Sequence, residues 1–125
     1  MTSKCHRTKA EHLLLGYRAA LWRKTLLESV YGLGYSPAHD CTEHIRITQD
    51  LVNLLRNKRL GEKQYWVVYT TYMTDLQPGC VDEILANIAK EYGTIPRRTY
   101  FRLKAHAIEF LDTCLYEMAM QRQLR

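Results

Sequence analysis

Glycine and proline are scarce in this chain, six Gly and three Pro among 125 residues, and no internal repeat or low-complexity tract is present. That scarcity excludes fibrous and disordered classes, and a composition of 46% hydrophobic and 25% charged residues leaves a folded domain in which helix is favoured over sheet. No apolar run approaches the roughly 20 residues that cross a bilayer, because Arg, Lys or Glu interrupts each one. No membrane partner is expected. The four cysteines, Cys5, Cys41, Cys80 and Cys114, include no CxxC pair, and no apolar core with a small-residue cleavage site stands at the start. A reducing, cytoplasmic setting fits best. GxGxxG and P-loop motifs are absent, as is any local Ser-His-Asp or Cys-His arrangement, so neither an enzyme nor a cofactor is expected.

What is present is positive charge in clusters. The formal net charge is +5 and the pI about 9.1, which suits an anionic partner without requiring one. Lys4, Arg7, Lys9, Arg18, Arg23 and Lys24 make the N-terminal segment basic, and Arg56, Lys58, Arg59 and Lys63 form a middle cluster. A third cluster, Arg97, Arg98, Arg102 and Lys104, follows the acidic Asp75, Asp82, Glu83 and Glu91.

Periodicity predicts an all-α helical bundle. A long helix is expected over Thr8 to Tyr31, with Thr8 as N-cap, Glu11 completing a capping box, and Leu14, Tyr17, Leu21, Trp22 and Val30 on its apolar side. "GLGYSPAHD" breaks it. A second helix is expected from Thr42 to Leu60, ended by Gly61, with Ile45, Ile47, Leu51, Val52, Leu54 and Leu55 apolar. "EKQYWVVYTTYM" has strand-like residues, but Tyr65, Tyr69 and Tyr72 keep helical spacing and no second strand exists to pair with it, so it is read as helix. "DLQPG" is a turn. A short helix then runs from Val81 to Tyr92, with Ile84, Leu85, Ile88 and Ala89 inward and Gly93 as a left-handed cap, and a last helix runs from Pro96 to about Met120.

The last two helices have the make-up of a helix-turn-helix, with Ala89 as the small residue at the crossing, Gly93 in the turn, and Ile95 and Leu103 facing inward. On the final helix Leu103, Ala107, Phe110, Leu111, Cys114 and Met118 share one side with Tyr100, while Arg98, Phe101, Arg102 and Ala105 share the other. Arg98 and Arg102, one turn apart, are the candidates for base contact, because guanidinium can fork onto guanine O6 and N7. Arg97 and Lys104 are candidate phosphate clamps and Thr99 a candidate phosphate donor, while Phe101 would meet a thymine methyl or pack on a neighbouring segment. Equally, a helical hairpin with a solvated basic face satisfies the same residues.

The C-terminal half, "KQYWVVYTTYM" through "VDEILANIAKEYGTIPRRTYFRLKAHAIEFLD", resembles the C-terminal region of the ArpU and RinA type of phage transcriptional regulators, itself similar to region 4 of sigma-70 factors. Over roughly residues 62–112 the matching pieces are a Tyr-rich helix, an "IA" helix ending in Gly, and "RRTYFRLKAHAI". This chain has one extra residue in "TIP", and Pro96 stands where the family has a Ser cap, leaving Thr94 as the alternative cap. The resemblance implies binding to double-stranded DNA and regulation, as an activator, of phage or prophage genes by residues 61–125. Residues 1–60 would form a separate helical segment serving oligomerisation or further DNA contact. RNA polymerase is a further implied partner, with Asp82, Glu83 and Glu91 as contacts.

Rival readings are a small terminase subunit binding a packaging site, and a helical adaptor whose basic helix binds an acidic protein surface. Tyr100, Leu103, Ala107, Phe110 and Cys114 approximate a 3-4 repeat, so a homodimer through the last helix is a secondary expectation, and the apolar side of the N-terminal half is another surface for it. His39, Cys41 and His44 lie close in sequence but lack a second ligand pair at zinc spacing, so they are read as a polar loop, with Asp40 or Thr42 capping the following helix.

Overall fold

The computed structural model describes residues 9–33, 38–56 and 61–123. Every regular element among them is an α-helix: α1 Lys9–Tyr31, α2 Ala38–Arg56, α3 Glu62–Tyr72, α4 Val81–Glu91 and α5 Arg97–Gln123. The fold class is all-α. Thr8, Cys5 and the segment 57–60 lie outside the described residues.

α3 explains why its sequence is ambiguous. Tyr65, Val67, Val68, Thr70, Thr71 and Tyr72 are all buried, because α2, α4 and α5 cover this helix from different sides. A helix buried on most of its circumference has little apolar periodicity to read. Its threonines are tolerated inside because their hydroxyls have partners. Thr71 shares a hydrogen bond of 2.8 Å with the Tyr100 hydroxyl, and no buried side-chain polar atom among the described residues lacks a partner.

Two cores flank α3. One joins Ala10 and Leu14 of α1, Leu51, Val52 and Leu55 of α2, Tyr65, Val68 and Tyr72 of α3, and Ala107 and Leu111 of α5. The other joins Val67 to Ile84, Ile88, Ile95 and Tyr100, and so holds α4 and the start of α5. The larger core draws on residues from both sides of position 60. The Ala10 N–H also donates to Asp112 Oδ1 at 2.9 Å, tying the first turn of α1 to α5.

Several expected placements change. α2 begins at Ala38, so Asp40 and Thr42 lie inside the helix instead of capping it, and His39, Cys41 and His44 are helical residues, not a loop. Cys41 is buried, and the His44 Nε2–H donates to the Leu13 carbonyl at 2.9 Å across the α1–α2 crossing. Gly16 makes that crossing close: a Cβ there would stand 2.9 Å from His44 Cε1. On α1 the core face is Ala10, Leu14, Tyr17 and Ala20, whereas Leu21, Trp22 and Val30 are exposed. Leu54 and Met118 are exposed as well.

The left-handed cap is at Gly32, with φ 95° and its N–H donating to the Glu28 carbonyl at 2.9 Å. Gly93 does not have positive φ, and open space surrounds the position where its Cβ would be. Ala89, expected at the helix crossing, is exposed. The α4–α5 corner therefore depends on neither small residue. Ile88, Ile95 and Tyr100 fill it instead. Of the α5 row expected to form a dimer seam, Tyr100 and Ala107 are fully buried, and Leu103, Phe110 and Cys114 are half-buried against the two cores.

Candidate nucleic-acid interface

The site is built on a helix, a five-residue connection and a second helix. α4 ends with the Tyr92 and Gly93 N–H groups both donating to the Ile88 carbonyl, at 2.8 and 3.0 Å. Ile95 then plugs into the smaller core, and α5 starts with the Pro96 carbonyl accepting the Tyr100 N–H at 2.9 Å. Thr94 is exposed and makes no side-chain capping bond among the described residues, and the helix begins at Arg97, directly after Pro96, which has no N–H to lose.

Tyr100 is the pivot. Its ring is fully buried among Val67, Ile84, Ile88 and Ile95, and its hydroxyl meets Thr71 at 2.8 Å. Burial raises the Tyr100 pKa above its ordinary value, with the hydrogen bond from Thr71 acting in the opposite direction. A buried ring with a satisfied polar end fixes both the rotation and the axial position of the first turn of α5. Residues two positions either side of Tyr100, about 160° from that inward direction, must then face out.

Arg98, Phe101, Arg102, Ala105 and His106 are exposed, as the helical wheel requires. Arg98 and Arg102 make no ion pair among the described residues. His106, one turn beyond Arg102, extends the same row and was missed as a candidate, although the i+4 spacing could have identified it. Glu109, exposed further along, marks the acidic end of the strip.

The flanking residues are less free. Arg97, expected as a phosphate clamp, has its Nη1 2.8 Å from Asp82 Oδ1, with the two side chains 57% and 93% exposed. A charge already paired in this way attracts phosphate less. Sequence reading assigned Asp82 to a different partner because the proximity of the first turns of α4 and α5 is a tertiary fact. Phe101 lies between cations: Arg97 Cζ is 5.6 Å and Lys104 Nζ 5.7 Å from its ring centroid, and its ring meets Tyr100 edge-on at 5.1 Å. That arrangement accounts for a 42% exposed Phe by packing within α5 itself, not on the neighbouring segment expected as one of its two roles. Lys104 is half-buried and also sits 5.8 Å from the Tyr100 ring. Thr99 is half-buried.

Arg18 of α1 donates to the Leu76 and Asp75 carbonyls at 2.7 and 3.0 Å, so this member of the N-terminal basic cluster secures the α3–α4 turn and is not offered outward. His39, Cys41 and His44 do not converge, and no group of three or more metal-ligating side chains occurs among the described residues. Cys41, Cys80 and Cys114 form no disulfide among the described residues. No helix among the described residues is long and apolar enough to cross a membrane.

The described chain is thus a five-helix all-α protein with an outward basic row on the first turns of its last helix. No family model, curated protein or solved structure matches it.

Proposed function

We propose that the protein binds double-stranded DNA, with α4, the Tyr92–Pro96 connection and α5 acting as a helix-turn-helix and the start of α5 entering the major groove. The observation that supports this reading is the pair Arg98 and Arg102, exposed one turn apart and without an ion pair among the described residues, in a stretch from Arg97 to His106 that contains no acidic residue. Two guanidinium groups at that spacing reach adjacent base steps, and the first acid on their own face is Glu109, about two turns beyond Arg102. Lys104 and Thr99 flank the row as phosphate contacts.

A regulatory role in a phage or prophage setting rests on the resemblance of residues 62–112 and on no further feature. Contact with RNA polymerase would fall to Glu83 and Glu91, which are exposed, more than to Asp82, which is held by Arg97.

The test is binding to promoter-region and scrambled duplexes across a salt series. Arg98→Ala and Arg102→Ala should each cost about 1–3 kcal/mol on the preferred sequence and flatten the preference. Equal affinity for all duplexes, unchanged by Arg102→Ala, would refute base reading. Asp82→Asn should act in the other direction. Releasing Arg97 is expected to tighten binding to every duplex alike and to steepen the salt dependence by about one phosphate contact, while folding stability shifts by less than about 1 kcal/mol. Tightening confined to one sequence would assign Arg97 to base contact instead.

A further inference from the structure

The second half of α1 carries large apolar side chains that the fold leaves outside. Trp22 is 69% exposed, Leu26 57% and Val30 70%, and Leu33, just past the Gly32 cap, is 90% exposed. At 100° per residue Trp22, Leu26 and Val30 fall within a stripe about 80° wide. Lys24 and Glu28, paired at 2.9 Å, lie on the opposite side of the helix, and Thr25 and Ser29, which border the stripe beside Trp22, are neutral. Arg23 stands at the other border, where a long side chain can keep its charge in water.

We propose that this stripe is where a second copy of the chain docks, α1 against α1, antiparallel about a two-fold axis through Leu26. Three observations select a second copy over another occupant. First, the stripe is self-complementary in size. Antiparallel pairing centred on Leu26 sets Trp22 opposite the second copy's Val30, and exposed Ala19 opposite its Leu33, large against small along the seam. Parallel pairing would set Trp on Trp and leave Ala facing Ala. Second, the stripe is uncharged along its centre, so two copies of a chain with net charge +5 can meet there without burying an unpaired ion. An acidic or basic partner finds no complement on it. Third, the area suffices: these exposed side chains offer roughly 500 Å² per copy, so a pair buries about the 1,000 Å² at which specific interfaces begin, with an aromatic anchor in it. A two-fold contact uses the same patch twice, as closed dimers do. The inference does not depend on DNA binding.

Sedimentation of the full chain over a micromolar concentration series tests it, with Trp22→Lys, Val30→Glu and the two combined. Both positions are at the surface, and unchanged helicity with a cooperative melt by circular dichroism confirms that each variant folds. Wild type should dimerise, and each single substitution should weaken the dimer at least about tenfold. The double variant should dimerise more tightly than either single, because the antiparallel register places the cation introduced at position 22 of one copy beside the carboxylate introduced at position 30 of the other. A monomeric wild type would overturn the proposal and leave the stripe to another partner. A larger ring, single variants that still dimerise, or a double variant no tighter than the singles would overturn it as well, the last by excluding this register.

Discussion

Tyr100→Ala is expected to cost about 3–5 kcal/mol of folding stability, a large share of what a domain of this size possesses. The ring is fully buried and is the largest such side chain, so its removal leaves a cavity lined by Val67, Ile84, Ile88 and Ile95 that rigid helices can only partly close. Tyr100→Phe separates packing from hydrogen bonding. It keeps the ring but deprives the buried Thr71 hydroxyl of its 2.8 Å partner, and should cost about 1–3 kcal/mol. The difference between wild type and Tyr100→Phe should also depend on pH in a definite direction. Because burial raises the Tyr100 pKa in the folded state, the contribution of its neutral phenol is fully present below the unfolded value near 10 and is lost as pH rises through the folded value. Urea titrations of both proteins should therefore show the gap narrowing above about pH 10. A gap that is constant with pH, or a Tyr100→Ala loss under about 1 kcal/mol, would show that the corner is held by something else.

The second large effect concerns the chain's division near position 60. Expressed alone, residues 61–125 should lack a cooperative thermal transition and a dispersed NMR spectrum. Leu14 of α1 and Leu51, Val52 and Leu55 of α2 are almost completely buried against Tyr65, Val68, Tyr72, Ala107 and Leu111. Losing four such aliphatic contacts removes about 1.5–3 kcal/mol each, a sum comparable to the roughly 5–15 kcal/mol that separates folded from unfolded domains. The Ala10–Asp112 bond is lost with them. Adding residues 1–60 as a separate peptide should restore part of the helicity. If the C-terminal fragment instead melts cooperatively near the temperature of the whole chain, the N-terminal helices are an appendage to a self-sufficient unit, as the sequence pattern suggests.

The basic row on α5 was legible because helical spacing and local charge need no tertiary knowledge: Tyr100 inward puts Arg98 and Arg102 outward by rotation alone. The state of each charge was not legible. Arg97 reads as free until the first turns of α4 and α5 are seen side by side, with Asp82 2.8 Å away. Arg18 reads as part of a basic surface until its hydrogen bonds to the Leu76 and Asp75 carbonyls are known. The corner misled for a related reason. Ala89 and Gly93 are suited to a close crossing, but suitability is not use, and bulky Ile88, Ile95 and Tyr100 occupy that place.

By itself the sequence determined the helices and the outward face of α5, since hydrogen bonding within a segment, capping residues and a 3.6-residue period are local properties. Only the tertiary structure decided which of the apolar residues of α1 are core. Ala10, Leu14 and Tyr17 and the stripe of Trp22, Leu26 and Val30 are both apolar surfaces on one helix, and nothing local ranks them. The choice falls to where α2 and α5 lie, because burial depends on which surfaces meet in space, and that is a property of the assembled chain.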